Sequence, residues 1–121
     1  MRSPGNENAA KRGVTDEKRL IQDIAQGSEH ALGEIMALYK QRLYRFILRY
    51  VRDDDTAYDL LQECFIRVHN KAASYDNRYA VSTWLFRIAV NLCHDWSRKQ
   101  KLRNFFSLDA LTGDNETNLH D

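Results

Sequence analysis

Apolar side chains recur at three- and four-residue spacing over residues 29–51, and this pattern constrains the fold more than any other feature of the sequence. It predicts one amphipathic helix of about 33 Å at 1.5 Å per residue. Such a helix buries its apolar face against other elements, so we expect it to be the spine of the domain. Its apolar positions are Leu32, Ile35, Met36, Tyr39, Leu43, Phe46, Ile47 and Tyr50.

Capping residues place a short helix before this spine. Residues 1–14 are small and polar and are expected to form a disordered tail. Thr15 can cap a helix that starts at Asp16, Gly27 can end it, and Ser28 can cap the long helix.

Two further helices are predicted after the spine. The aspartates at 53–55 end the long helix and cap a third one over about residues 56–72, where acidic side chains suit the helix N-terminus. Residues 73–81 are expected to form a loop. Ser82 can then cap a fourth helix over about residues 83–101, which ends in a basic run.

The fold class follows from these elements. With 121 residues, 43% of them hydrophobic, the chain has room for one domain with a real core. Neither a strand pattern nor an internal repeat occurs in the sequence. We therefore predict an all-α fold, a compact bundle of about four helices over residues 15–104, with residues 105–121 as an acidic linker.

The sequence favours neither a metal site nor a membrane segment. Cys64 and Cys93 lie within apolar helical patterns, which is typical of buried thiols in a reducing cytosol. Together with His69 and His94 they lack the paired spacing of zinc ligands, so no metal or other cofactor is expected. No apolar run reaches the length of a membrane span and no signal peptide is visible, which predicts a cytoplasmic protein without membrane insertion.

Charge is sorted into blocks although the net charge is only +1. One basic run follows the apolar pattern of the fourth helix and contains Arg98, Lys99, Lys101 and Arg103. A balanced total can therefore hide a basic patch. Another basic block, residues 40–52, contains five cations and no acid: Lys40, Arg42, Arg45, Arg49 and Arg52.

The polar face of the third helix contains one aliphatic side chain, Ile66. A helical wheel gives a core arc and, opposite to it, an arc of acids and amides that surrounds Ile66. A single exposed isoleucine is common on protein surfaces, but a polar-rimmed aliphatic residue is also typical of a docking surface, and the pattern alone leaves both open. The core arc is Ala57, Leu60, Leu61, Cys64, Phe65 and Val68; the opposite arc is Asp59, Gln62, Glu63, Ile66 and Asn70.

The fourth helix has a core arc of Leu85, Ile88, Ala89, Leu92, Cys93 and Trp96. On its far side is a polar stripe about 80° wide with Trp84 at its edge. An arginine, an amide and an indole can together hold a phosphate, read a base edge and stack on a base. Aromatic and polar residues in the preceding loop suit unpaired bases better than closed duplex. A solvated helix end with a half-buried tryptophan is the alternative. The stripe is Arg87, Asn91, His94, Arg98 and Lys101; the loop adds Tyr75, Asn77, Arg78 and Tyr79.

Catalysis finds no support in the sequence. It has no glycine-rich phosphate loop and no nucleophile elbow. The acidic run at residues 53–55 is explained by helix capping. The protein is therefore not expected to be an enzyme.

Residues 58–101, YDLLQECFIRVHNKAASYDNRYAVSTWLFRIAVNLCHDWSRKQK, resemble the second conserved region of bacterial extracytoplasmic-function (ECF) sigma factors. That family typically shows Asp-Leu-x-Gln-Glu-x-Phe, an aromatic-Asp pair, and Ser-Thr-Trp-Leu-x-Arg-Ile-Ala-x-Asn before a basic helix end. Residues 42–54 resemble the preceding segment. The matching positions are Asp59-Leu60, Gln62-Glu63, Phe65, Tyr75-Asp76 and residues 82–91.

The resemblance implies a domain that binds core RNA polymerase and opens promoters at the minus-ten element. By this analogy, residues of the third helix contact the clamp of the largest polymerase subunit: Asp59, Gln62, Glu63 and Ile66. The loop and Asn91 form a pocket for an unpaired non-template base, with Trp84 and Arg87 at its upstream edge. The implied DNA-binding residues are Tyr75, Asp76, Asn77, Arg78, Tyr79, Ser82, Thr83, Trp84, Arg87, Asn91, Arg98, Lys99 and Lys101.

The sequence departs from the family at three places. Asn77 stands where proline is frequent and Val81 where phenylalanine is frequent, which affects the loop shape and the base preference. Nothing after Phe106 resembles the family's second domain, a helix-turn-helix that reads the minus-thirty-five element, so we expect an isolated first domain with part of a linker.

Two other functions compete with this interpretation. One is a stand-alone helix-turn-helix regulator, which needs a helix pair joined by a tight turn. The other is a protein-binding adaptor that is sequestered by an inhibitory partner, as ECF sigma factors are by anti-sigma factors.

Overall fold

The structure, a computed structural model, describes the backbone of residues 6–112 and the side chains of residues 16–111. It contains four α-helices and, in the described part, no strand, so the prediction of an all-α bundle is confirmed. A short 3₁₀ helix, Ala72–Ser74, follows the third helix. The α-helices are α1 (Asn6–Ala25), α2 (Glu29–Val51), α3 (Asp54–Lys71) and α4 (Val81–Thr112).

Local capping bonds set the boundaries of α2 and α3. The Ser28 side chain accepts a hydrogen bond from the Ala31 N–H at 3.0 Å, and Asp53 accepts one from the Thr56 N–H at 2.9 Å. Both caps were predicted, and both are confirmed. Gly27 has a φ of 101°, a conformation that L side chains rarely adopt, which explains why the turn before α2 carries glycine.

The first helix begins earlier than predicted. It starts at Asn6 instead of Asp16, so Thr15 lies inside α1 and is not its cap. The added residues 6–15 include alanine, lysine, arginine and glutamate, which have high helix propensity. Extending an existing helix costs far less than nucleating one, so this segment needs no apolar face of its own to continue the helix. The rest of the predicted tail, residues 1–5, lies outside the described residues.

The fourth helix differs from the prediction at both ends. It starts at Val81, where the Trp84 N–H donates to the Ala80 carbonyl at 3.2 Å, so Ser82 lies in the first turn and is not the cap. At the other end α4 continues past Lys101 to Thr112. No glycine or proline occurs before Gly113 to stop it, so the start of the predicted linker is helical.

The core is organised around α2, which packs against α1, α3 and α4. Burying one aliphatic side chain of this kind contributes about 1.5–3 kcal/mol to stability. Tyr50 differs from the predicted spine because it is 41% exposed, and its ring lies 6.0 Å from that of His94. The buried positions of α2 are Ala31, Ile35, Tyr39, Leu43, Ile47 and Val51.

The predicted core faces of α3 and α4 also point inward. All of their members are buried except Leu60 and Trp96, which are partly buried and pack against the core. Cys64 and Cys93 are both fully buried free thiols, as predicted. Burial raises the pKa of Cys64 to about 12, so its reactive thiolate form is suppressed.

Candidate nucleic-acid interface

The loop that joins the 3₁₀ helix to α4 is closed by its own hydrogen bonds. The Tyr79 N–H donates to the Asp76 carbonyl at 3.1 Å, and the Tyr75 hydroxyl donates to the Tyr79 carbonyl. From the opposite side, the Lys18 ammonium of α1 donates to the Asn77 carbonyl at 2.8 Å. The loop is thus fixed both internally and against the first helix.

An ion pair within the loop joins Asp76 to Arg78. The guanidinium donates to both carboxylate oxygens, with its shortest contact at 2.7 Å, and the Arg78 N–H donates to Asp76 Oδ1 at 3.0 Å. These hydrogen bonds lower the pKa of the Asp76 carboxyl from its ordinary value of 3.8 to about 2. The carboxylate therefore stays charged at every physiological pH.

Aromatic contacts connect the loop to the first turns of α4. The Tyr75 ring lies 5.1 Å from the Trp84 ring, and the Arg87 guanidinium lies 5.6 Å from the Tyr79 ring centroid. Tilted ring pairs and cation–π contacts each add a modest attraction. They hold Trp84 and Arg87 in defined positions on the surface.

These elements enclose an open cleft of about 380 Å³, within the size range of small-ligand sites. The indole of Trp84 and the phenol of Tyr79 offer faces for stacking. The exposed amide of Asn91 offers hydrogen-bond donors and an acceptor, and Lys71 and Arg87 add two positive charges to the lining. The cleft therefore suits a planar polar ring attached to an anionic chain. Its lining is Lys71, Ser74, Asp76, Tyr79, Thr83, Trp84, Arg87, Ile88 and Asn91.

The structure brings together six of the predicted DNA-binding residues in this cleft. Tyr75 is not part of the lining, but its ring contacts the ring of Trp84. The others lie outside its lining, and Arg98 is paired with Asp95 on the surface. The six are Asp76, Tyr79, Thr83, Trp84, Arg87 and Asn91; those outside are Asn77, Arg78, Ser82, Arg98, Lys99 and Lys101.

Sequence reasoning missed Lys71, Ser74 and Ile88. The Ser74 hydroxyl donates to the Lys71 carbonyl at 2.8 Å, which joins the 3₁₀ helix to the end of α3, and both residues line the cleft. A cation in the last helical turn before an aromatic loop was the available signal for Lys71. Ile88 was assigned only to the core, and it is indeed 7% exposed while also lining the cleft.

A second surface lies on α3. Asp59, Gln62 and Ile66 are exposed, Ile66 by 52%, and Glu63 is partly exposed. Beside them is a shallow groove of about 250 Å³, most of whose lining is apolar or aromatic. The wheel of α3 alone could not include the contribution of α2 to this groove. Its lining is Leu32, Met36, Gln62, Phe65, Ile66 and His69.

Among the residues that the structure describes, no group of three or more His, Cys, Asp or Glu side chains could hold a metal ion. In the same part of the chain, no helix is long and apolar enough to cross a membrane.

The helical bundle and its aromatic, basic cleft have the features of a nucleic-acid-binding class of domain, and comparison with known proteins identifies the family. The family described as Sigma-70 region 2 matches residues 35–103. The chain belongs to this family.

Curated relatives extend the comparison to ECF sigma factors. The chain is 37% identical over 84 residues to the ECF RNA polymerase sigma factor SigW of Bacillus subtilis, covering 69% of this chain and 45% of SigW. It is 30% identical over 97 residues to the ECF RNA polymerase sigma-E factor of Escherichia coli K12, covering 79% of this chain and 50% of that protein. The chain thus spans about half the length of these relatives.

A solved structure is similar over most of the bundle. It is the NMR structure of an engineered region 2 of sigmaE in complex with GTAAAA. The two chains superpose with a TM-score of 0.66 at 30% identity, covering 72% of this chain and 90% of the other.

Proposed function

We propose that this chain is a transcription initiation domain that binds core RNA polymerase and holds the unpaired non-template strand of the promoter minus-ten element. The cleft between the loop and α4 carries the proposal, because it combines stacking faces, an exposed amide and cations at one opening. The similar region 2 of sigmaE in complex with GTAAAA supports single-stranded DNA as the ligand.

Each part of the cleft has a distinct task in this proposal. An unpaired base stacks on Tyr79 or Trp84, and the Asn91 amide reads its edge by hydrogen bonds. Arg87 and Lys71 are placed to neutralise phosphates, which carry no base identity. Binding and stabilising an unpaired base opens the duplex without a covalent step, so no enzymatic activity is part of the proposal.

The α3 surface serves as the polymerase-docking face. Ile66 and the adjacent apolar groove supply a hydrophobic centre, and Asp59, Gln62 and Glu63 supply a polar rim. The clamp of the largest polymerase subunit is the proposed partner, by the resemblance of residues 59–66 to the ECF pattern. An anti-sigma factor that covers either surface would silence the domain, and all these encounters belong to the cytoplasm.

The connection between α3 and α4 argues against a stand-alone helix-turn-helix regulator. That motif joins its helices by a three- to four-residue turn, whereas here a 3₁₀ helix and a hydrogen-bonded loop separate Lys71 from Val81. A reader of closed major groove also has no need of an aromatic cleft.

Fluorescence anisotropy with labelled GTAAAA, as a single strand and within a duplex, tests the proposal. We expect tighter binding of the single strand, and an affinity that falls as salt rises because phosphate contacts release counterions. Equal or tighter binding of the duplex would contradict the proposed function. Arg19→Gln, a charge change at an exposed position of α1, is the control and should leave the strand preference unchanged.

A further inference from the structure

A second basic groove lies on α2, outside the cleft and the α3 surface. It has a volume of about 530 Å³. Phe46 is partly buried at its base, and the other four side chains are exposed. We call it the α2 groove; its lining is Arg42, Arg45, Phe46, Arg49 and Tyr50.

The charges of the α2 groove are not neutralised within the described residues. Arg67, Arg78 and Arg98 each pair with a carboxylate. In contrast, no ion pair joins a groove arginine to an acid in the described part of the chain; Arg42 instead lies 4.6 Å from the ring centroid of Tyr39. Exposed, unpaired guanidinium groups in a row are suited to a polyanion, whose binding releases condensed counterions.

Ring contacts place the α2 groove along the same stretch of α4 that forms the cleft. Phe46 lies 5.7 Å from Phe86, and Tyr50 lies 6.0 Å from His94. From the first pair to the second, the contacts advance by four residues on α2 and by eight on α4, so the two helices run in the same general direction here. Asn91, in the cleft, lies on the neighbouring face of this α4 stretch.

The dimensions fit a nucleic-acid backbone. Arg42 and Arg49 are seven residues apart, about 10 Å along the helix at 1.5 Å per residue. A strand stacked as in duplex DNA carries a charge about every 3.4 Å along its axis, and an extended single strand carries fewer, so this distance covers at most about three phosphates. The exposed Tyr50 ring adds a surface on which a sugar or base can pack.

We infer that the α2 groove binds the phosphate backbone of the DNA strand beyond the bases held in the cleft. DNA is preferred over an acidic peptide because the groove adjoins the cleft along α4. The inference depends on the proposed function for where the strand starts. In this arrangement the strand runs from the cleft across α4 to the α2 groove.

The double variant Arg45→Gln/Arg49→Gln tests the inference in the full chain. Two labelled probes are compared over a salt series: single-stranded GTAAAA, and the same hexamer with about ten thymidines added at both ends. We expect affinity for the extended strand to fall about five- to twentyfold, and its log–log salt slope to fall by about 1.4, the value for two single-strand phosphate contacts. Binding of the bare hexamer should change less than about twofold, since its bases occupy the cleft.

A matched control removes the same charge elsewhere. Lys40 is exposed on the opposite side of α2 and Arg19 is exposed on α1, so Arg19→Gln/Lys40→Gln lowers the net charge equally without touching the groove. Thermal unfolding by circular dichroism checks that both double variants fold. Unchanged binding of the extended strand by Arg45→Gln/Arg49→Gln, or an equal loss in the control, overturns the inference.

The outcomes also separate this inference from the proposed function. If the wild-type chain prefers single-stranded GTAAAA but the groove arginines have no effect, the inference fails and the proposed function stands. If the extended strand binds through Arg45 and Arg49 while the hexamer shows no preference over duplex, the groove is supported and the proposed function fails.

Discussion

The cleft at the start of α4 and the exposed surface of α3 are built in different ways. In the cleft, functional side chains contact one another: Arg87 lies on Tyr79, and Trp84 on Tyr75. On α3, Ile66 is half exposed beside a shallow groove, and its position follows from the helix alone. One surface is therefore pre-organised for a small planar group, and the other is open to a large partner. The two surfaces should accordingly respond to different mutations.

The largest effect is expected on α3, where one aliphatic residue is surrounded by polar groups. Ile66→Glu should weaken binding to core RNA polymerase by about 2 kcal/mol or more, the cost typical of a central anchor residue. It should leave folding and single-strand binding unchanged, because the side chain is 52% exposed and lies outside the cleft. A pull-down and an anisotropy titration measure the two activities.

Leu38 provides a matched control for this variant. It is 53% exposed, and it points away from the Met36 side of α2. Leu38→Glu should therefore retain polymerase binding. If Ile66→Glu retains it as well, α3 is not the docking surface.

The next effect concerns base identity in the cleft. The exposed Asn91 amide has donors and an acceptor but no charge, so Asn91→Ala should cost about 1–3 kcal/mol on the preferred base and little on the others. The measurement is a binding series with strands that vary one base at a time. Asn104→Ala, an exposed asparagine further along α4, is the control. A uniform loss across all bases would show that Asn91 does not read sequence.

A smaller effect tests whether the loop depends on its support from α1. Lys18→Met removes the hydrogen bond to the Asn77 carbonyl and keeps most of the aliphatic side chain. A typical hydrogen bond contributes about 0.5–1.5 kcal/mol and this one is exposed to solvent, so discrimination between bases should drop less than about tenfold. Binding to polymerase should not change. Lys40→Met is the control, and an equal loss there would point to charge instead of loop position.

A change of pH is expected to have the smallest effect, and it acts through the charge of the Asp76 carboxyl. The pKa of Asp76 is lowered to about 2, so its contact with Arg78 is fully present above about pH 4 and is lost only as the pH falls toward 2. A carboxyl ¹³C titration should give a midpoint near 2, and Arg78→Gln should move that midpoint up toward 3.8. Arg103→Gln should not move it. An Asp76 midpoint near 3.8 in the unmutated protein would contradict the loop geometry.

The sequence was a better guide to the α3 surface than to the cleft, for a physical reason. Helical periodicity alone determines that Asp59, Gln62 and Ile66 share a face. The cleft depends on how a loop closes, and no periodic pattern encodes the bonds from Tyr75 to Tyr79 or from Lys18 to the Asn77 carbonyl. The helical wheel of the fourth helix supplied Trp84, Arg87 and Asn91, and the family resemblance gave them roles, but neither could supply the contribution of Lys71.

Helix ends show the same limit on a smaller scale. Ser28 and Asp53 were predictable because a side-chain oxygen precedes a clear apolar pattern. The start of α1 at Asn6 and the extension of α4 to Thr112 were missed because propensity, without an apolar face, gives only a weak signal. Both errors shortened a helix without moving its predicted core positions.

The closed loop has one more consequence, for how such a domain can diversify. The bonds that shape it run mostly between its own residues, and residues 77–80 are exposed instead of embedded in the core. The segment from Asp76 to Tyr79 can therefore be exchanged as a unit, while Tyr75, which packs against the core, and the bundle stay unchanged. If the cleft binds a base as proposed, transplanting the equivalent segment of a relative would exchange the stacking face of Tyr79 while the Asn91 amide stays in place on α4, so stacking and edge reading can vary separately.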